Sequence, residues 1–266
     1  MKAWYTGDPV YDTILAGALA LIPLTVAGLF FMETPYGRFG GKGKGLHVSP
    51  RLGWFLMELP APLTFLFFYF RGGHPYAPIS LAFLGLWCLH YAYRTFTFPA
   101  LMRVAPGYRS TFSFFVVASG WLVTPMHGYL SASFVSGLGR HLDASWFTDA
   151  RFLAGLFVYL VGFGIILHSD SVLRQLRPKD PSKAAGLPRY QTPRGGLFRF
   201  VTNAQFLGEL TAWTGFALAT WSLPGVFILG ISAANLIPRA LANHRWYRSA
   251  FPDYPRERKV LIPFVF

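Results

Sequence analysis

The chain has 266 residues, 53% of them hydrophobic, 18% aromatic and only 13% charged, with a formal net charge of +13. Apolar runs near twenty residues recur along it, which excludes an ordinary soluble domain and predicts an all-α, polytopic membrane protein. In a soluble chain that charge would point to nucleic acid, but here the cations fall between the apolar runs, so a nucleic-acid partner is set aside.

Seven transmembrane helices are expected, at roughly residues 13–32, 52–70, 78–98, 111–131, 151–169, 204–221 and 223–243. The first follows Asp8 and Asp12 and is longer than a signal-peptide core, so it reads as a retained span. The next loop carries Arg38, Lys42, Lys44 and Arg51 against Glu33. Its GGKGKG run, residues 40–45, lacks the Lys-Ser or Lys-Thr of a phosphate loop and reads as a flexible basic segment. The second run, WFLMELPAPLTFLFFYF, holds Glu58. A carboxyl at membrane depth normally faces a bundle interior or a wet cavity, which makes it a functional-site candidate by default.

Arg71 follows the second run, and the third places His90 and Arg94 on one face with Tyr91 beside them; Arg103 and Arg109 come next. After the fourth run Arg140 sits among Asp143 and Asp149. The fifth ends in Asp170, Arg174 and Arg177, followed by the longest connection, residues 178–196, rich in Pro, Gly and charge. A loop of that length is usually functional or disordered. The sixth run carries Gln205, Glu209 and Trp213; the seventh carries Asn235, Arg239, Asn243 and Tyr247 and passes into a tail with Arg245, Arg248, Arg256, Arg258 and Lys259. The alternation of strongly and weakly basic segments predicts an N-terminus outside and a cytoplasmic C-terminus. No repeat or boundary divides the sequence, so residues 1–266 read as a single transmembrane domain.

Cys88 is the only cysteine, which rules out an internal disulfide, and the seven histidines lack metal-ligand spacing, so no metal is expected. No strand leads into a GxGxxG turn, so a dinucleotide would bind without a Rossmann unit. Polar side chains three, four and seven apart share a helix face. The three rows in the second half approach the cytoplasmic side together and describe an electropositive cavity for a ligand with several phosphates. Asp170 and Glu209 suit ribose hydroxyls or a carboxamide, and Trp213 or Tyr247 offers a ring for stacking, an inventory that fits a dinucleotide. The first half is rich in Phe, Trp and Tyr around Glu58, His90 and Tyr91, which suits a flat lipid entering from the bilayer and gripped at one polar end.

HSDSVLRQLR (168–177), YQTPRGGLF (190–198), FLGELTAWTGFALATWSLPG (206–225) and HRWYRSAFPDYPRERKVLIPFVF (244–266) resemble segments of the membrane steroid 5α-reductases. PYGR (35–38), WFLMELPAP (54–62) and LHYAYRTF (89–96) extend the resemblance over nearly the whole chain. It implies a seven-helix enzyme using NADPH to reduce the Δ4 double bond of a 3-oxo steroid. The catalytic carboxylate and tyrosine would fall on Glu58 and Tyr91, with Trp54 and Met57 as further substrate contacts; Met57 stands where the family often has Gln. Cofactor contacts would fall on Arg94, Arg103, Asp170, Arg174, Arg177, Tyr190, Glu209, Trp213, Arg239 and Tyr247, with Asn235 and His244 as local additions. The expected partners are a steroid-like lipophilic substrate and membrane lipids, with no obligate protein partner, in a bacterial inner membrane or the endoplasmic reticulum. Competing readings are a reductase of sterol, polyprenol or enoyl-thioester substrates, an isoprenylcysteine-type methyltransferase, and a lipid-anchoring protein.

Overall fold

The computed structural model describes residues 5–31, 46–103, 111–178, 188 and 190–266. The PYGR and GGKGKG segments, Arg109, and residues 179–187 and 189 of the long basic connection lie outside the described residues. The helices are α1 (Pro9–Phe31), α2 (Pro50–Glu58), α3 (Pro60–Tyr69), α4 (Pro78–Tyr91), α5 (Phe98–Leu101), α6 (Phe114–Ser133), α7 (Ala150–Gln175), α8 (Ala204–Thr220) and α9 (Leu223–Ala250). A π-helical turn, Ala92–Thr97, joins α4 to α5, and another, Phe134–Leu138, prolongs α6.

Among the described residues, and with α2–α3 and α4–α5 each counted as one rod, seven helical segments fall on the predicted runs. Among the described residues four satisfy length and composition for crossing a membrane: Pro9–Leu29, Pro50–Tyr69, Ala150–Gln175 and Leu223–Ala250. The chain is therefore an all-α membrane protein. Its one sheet among the described residues is small: β1 (His47–Val48) pairs antiparallel with β2 (Phe112–Ser113), so the fourth helix starts after a strand where unbroken helix was expected from residue 111. The fifth and seventh helices run past the predicted ends, to Gln175 and Ala250.

Lipid offers no hydrophobic drive for helix association, so close packing and polar contacts hold the rods together. The α7–α8 pair shows how. Gly155 and Gly162 on α7 face Ala219 and Ala212 on α8, while Gly208 and Gly215 meet the α7 backbone at Ile166 and Tyr159. A Cβ at any of these four glycines would strike backbone of the other helix, so the glycines let the two main chains touch. Gly128 of α6 likewise admits the Ala61 carbonyl of α3.

Side-chain bonds to carbonyls define two ends of the bundle. At one, Tyr11 donates to Leu130 O at 3.0 Å, Trp146 to Ala219 O at 2.8 Å and Ser80 to Val135 O at 2.8 Å. At the other, the sheet, Arg51 on Met102 O (2.6 Å) and the C-terminal tail close the structure. The tail is fixed there because Asn203 donates to Ala240 O (3.1 Å) and Val260 O (3.0 Å) and accepts from Asn243 (2.9 Å).

Candidate active site

The second rod breaks where its prolines dictate. Pro60 has no N–H, so the Leu56 carbonyl loses its helical partner, and the Trp121 indole of α6 takes that carbonyl at 2.7 Å. Glu58 is the last residue of α2, at this break, with its side chain 14% exposed. Trp54, four residues earlier, shares its face. Met57 does not: it packs on Gly120 of α6 beside Phe112 and Val117. The substrate contact that the resemblance implied at Met57 is thus placed on the α2–α6 seam.

The π turn after α4 widens the helix where its polar residues gather, a distortion frequent at functional sites. Arg94, on that turn, lies between two carboxyl groups, 3.8 Å from Glu58 and 3.7 Å from Glu209. Its guanidinium also rests over the rings of Trp54 (4.7 Å) and Phe98 (5.3 Å). Glu209 accepts from the Trp213 indole at 2.9 Å and sits 3.3 Å from His90 Nε2. Tyr93 donates to Asp170 at 3.1 Å. Tyr91 is buried, stacked on Trp87, with its hydroxyl 2.9 Å from His127 Nδ1.

Arg94, Asp170 and Glu209 of this array line a cavity of about 380 Å³, whereas Glu58, His90, Tyr91 and Tyr93 lie off its lining. Trp54, Arg94 and Phe98 line it from the first half of the chain. Asp170, Arg174 and Arg177 line it from α7 and its C-terminus, Gln205 and Glu209 from α8, and Arg239, Asn243 and Tyr247 from α9. Arg103, Tyr190 and Gln191 close its rim. Arg103 donates to Arg177 O (2.7 Å) and Arg174 O (3.4 Å), Arg177 donates back to Arg103 O, and Gln191 reaches Leu176 O at 2.9 Å. These donors satisfy the last carbonyls of α7 and place cations at the negative end of its dipole.

Three cofactor positions expected from the sequence lie elsewhere. Trp213 is 2% exposed behind the cavity wall, its ring against His90, His127 and Phe216. Asn235 lies one turn deeper on α9 than Arg239, off the lining. His244, one residue beyond Asn243, is turned about 100° around α9. Its Nδ1 meets the Thr202 hydroxyl at 2.5 Å, and it faces a separate hollow with Arg248, Arg258 and Lys259.

The family described as 3-oxo-5-alpha-steroid 4-dehydrogenase matches residues 110–266. The chain is 37% identical over 257 residues to 3-oxo-5-alpha-steroid 4-dehydrogenase 1 of Rattus norvegicus, covering 94% of this chain and 93% of that one. It is 37% identical over 267 residues to 3-oxo-5-alpha-steroid 4-dehydrogenase 2 of Homo sapiens, covering 95% and 96%. The chain belongs to the 3-oxo-5-alpha-steroid 4-dehydrogenase family. A steroid 5-alpha-reductase of Gossypium hirsutum is 36% identical over 247 residues, 91% of this chain and 92% of that one. The protein is accordingly an oxidoreductase of steroid metabolism acting on CH–CH groups.

The contacts of Tyr91 bring in a residue that the sequence did not single out. His127 was weighed only for metal-ligand spacing, and its contact with Tyr91 joins positions 36 residues apart. The available signal was a histidine inside an apolar run, two residues after Pro125. Gln205 and Asn243 were legible as members of the polar rows, and both line the cavity.

Proposed function

We propose that this enzyme reduces the Δ4 double bond of 3-oxo-Δ4 steroids to 5α-reduced 3-oxo steroids with NADPH, in a seven-span, multi-pass membrane fold whose C-terminus is cytoplasmic. The observation that carries the proposal is the link between the cavity and the carboxyl of α2: Glu209 and Arg94 line the cation-rich cavity, and Arg94 lies 3.7 Å from Glu209 and 3.8 Å from Glu58. The relatives' names supply the substrate class. The orientation follows from the concentration of cations at the cavity end and the positive-inside rule.

The cavity suits an anionic dinucleotide. Arg103, Arg174, Arg177 and Arg239 suit its phosphates, and Tyr190 and Tyr247 offer ring faces. Gln205 brings a buried Oε1 with no partner among the described residues, an acceptor that a ligand N–H or hydroxyl would satisfy. Asp170 and Glu209 add acceptors for hydroxyl or amide groups. When bound, NADPH supplies a hydride.

The protein's own contribution is electrostatic. Reduction of an enone places negative charge on the carbonyl oxygen, and donors aimed at that oxygen lower the barrier. Glu58, in its protonated form, and Tyr91 would donate to it, and Arg94 would hold the Glu58 carboxyl in position from its partner oxygen. The aromatic walls, Trp54 and Phe98 among them, keep water from competing for these bonds. A flat lipid would reach this end from the bilayer.

The test is to identify nucleotide in the purified protein and then incubate it with NADPH and a panel of 3-oxo-Δ4 steroids, sterols and enoyl thioesters. Mass gain of two hydrogens on the steroids with 5α product supports the reading. Bound S-adenosylmethionine, or turnover confined to another enone class, would overturn it.

A further inference from the structure

The residue that sets what Tyr91 can offer is His127. Tyr91 on α4 and His127 on α6 are both buried, 4% and 1% exposed, and the Tyr91 oxygen is 2.9 Å from His127 Nδ1. The imidazole is clamped between Trp87 (4.4 Å between ring centroids) and Trp213 (5.0 Å), so it cannot swing away. Its other nitrogen, Nε2, is buried with no partner among the described residues.

A neutral imidazole carries one proton, and the two placements have opposite consequences. With the proton on Nε2, a buried N–H would have no acceptor, and Nδ1 would accept the hydrogen bond from the phenol O–H, leaving Tyr91 no donor for a substrate. With the proton on Nδ1, the ring donates to the Tyr91 oxygen and Nε2 is an unfilled acceptor. Orphaned buried N–H groups are the rarer defect. We infer that His127 is a positioning residue for Tyr91: its Nδ1–H donates to the phenol oxygen, so that the phenol's own proton is presented to the substrate carbonyl. The Nδ1–H also strengthens the phenol as a donor, because hydrogen bonds in a chain polarise one another. This role rests on the assignment of Tyr91 above.

The charged and titratable groups around the pair are His90 on α4, Arg94 on the π turn, Tyr159 on α7, Glu209 on α8 through the Trp213 indole, and Glu58 at the end of α2. None of them hydrogen-bonds His127 among the described residues. Only Tyr91 reads its tautomer.

The experiment compares His127→Phe, His127→Asn, Tyr91→Phe and the double variant Tyr91→Phe/His127→Phe, with kcat and KM measured for a 3-oxo-Δ4 steroid. Phe keeps a ring between the two tryptophans and removes the donor; Asn puts an amide N–H near the place of Nδ1. His127→Phe is expected to lower kcat about tenfold with KM for the steroid nearly unchanged, and Asn to recover most of that loss. In the Tyr91→Phe background the second substitution is expected to cost nothing further. Wild-type kcat in His127→Phe, or full additivity in the double variant, would overturn the inference while leaving the reaction assignment intact. If His127→Phe does not fold, Asn decides: a folded Asn variant as slow as Tyr91→Phe overturns it. Wild-type turnover in Tyr91→Phe itself would instead remove the role assigned to Tyr91.

Discussion

The two ends of the bundle handle polar groups in opposite ways. At the end where α7 begins, Asp149 caps the helix and binds Arg151, Asp143 accepts from Ser145, and Tyr11 and Trp146 each close one carbonyl. Each group finds a partner of its own. At the other end, charges from α7, α8, α9 and the π turn converge on one open volume, and Arg94 is shared between two carboxyl groups. The lesson is that pairwise closure marks a structural end, whereas convergence on shared partners around a cavity marks the chemical one. Substitutions at the two ends should therefore differ in kind.

The largest effect is expected at the shared array. Glu58→Met, which removes the donor at nearly constant length, should keep the fold and NADPH affinity while lowering turnover roughly 100 to 1,000-fold, with Tyr91→Phe less severe. Steady-state rates with a 3-oxo-Δ4 steroid, paired with nucleotide titration, check both statements; an unchanged rate in Glu58→Met would erase the distinction between the ends. Next comes Arg174→Ala on the cavity wall. Losing one charge-assisted contact to phosphate should weaken NADPH binding about tenfold or more. Equal affinity in this variant would mean that the cations serve the helix end alone, as Arg103 and Arg177 in part do.

A third substitution sharpens the contrast from between the two ends. Gly162→Leu would drive a side chain into the Ala212 backbone and the Gly208 carbonyl. Overpacking of this kind costs about 1–3 kcal/mol or more, read as a lower melting temperature in detergent. Any folded fraction should keep its NADPH affinity, because Gly162 and Ala212 lie off the cavity lining. A shifted affinity in that fraction would show that α7 and α8 transmit their spacing to the site.

Much of this architecture was legible in the sequence because the lipid solvent restricts it. Long apolar runs must become helices, and polar residues at i, i+4 spacing must share a face, so Asp170–Arg174 and Glu209–Trp213 were placed together before any contact was known. What escaped had non-local or sub-helical causes. Met57 and Glu58 are neighbours in sequence but face different elements, since adjacent residues diverge by about 100° around a helix. The break at Leu59 and the π turn at Ala92–Thr97 change which side chains point inward, and no apolar period encodes a π turn. His244 was expected as a local addition to the cofactor contacts but is tied to the tail through Thr202. His127 has meaning only against Tyr91, on another helix.

The smallest effect tests the structural end by pH. Asp149 lies outside the α7 helix that it caps, and its bonds from the Arg151 side chain and backbone N–H pull its carboxyl down to about 2. A carboxyl whose folded value lies below its unfolded one stabilises the protein above the ordinary carboxylate range, and that contribution disappears as pH falls through the folded value. Asp149→Asn keeps a capping oxygen but gives up the charge facing Arg151. The pair is exposed and screened, so the melting temperature at neutral pH should fall by only roughly 1 °C. The difference from wild type should shrink as pH drops from about 4 toward 2. Steroid turnover should not change at any pH where both proteins are folded. A change in turnover would mean that the N-terminal end of α7 is coupled to the cavity at its C-terminal end, and that the two ends are not separate in function.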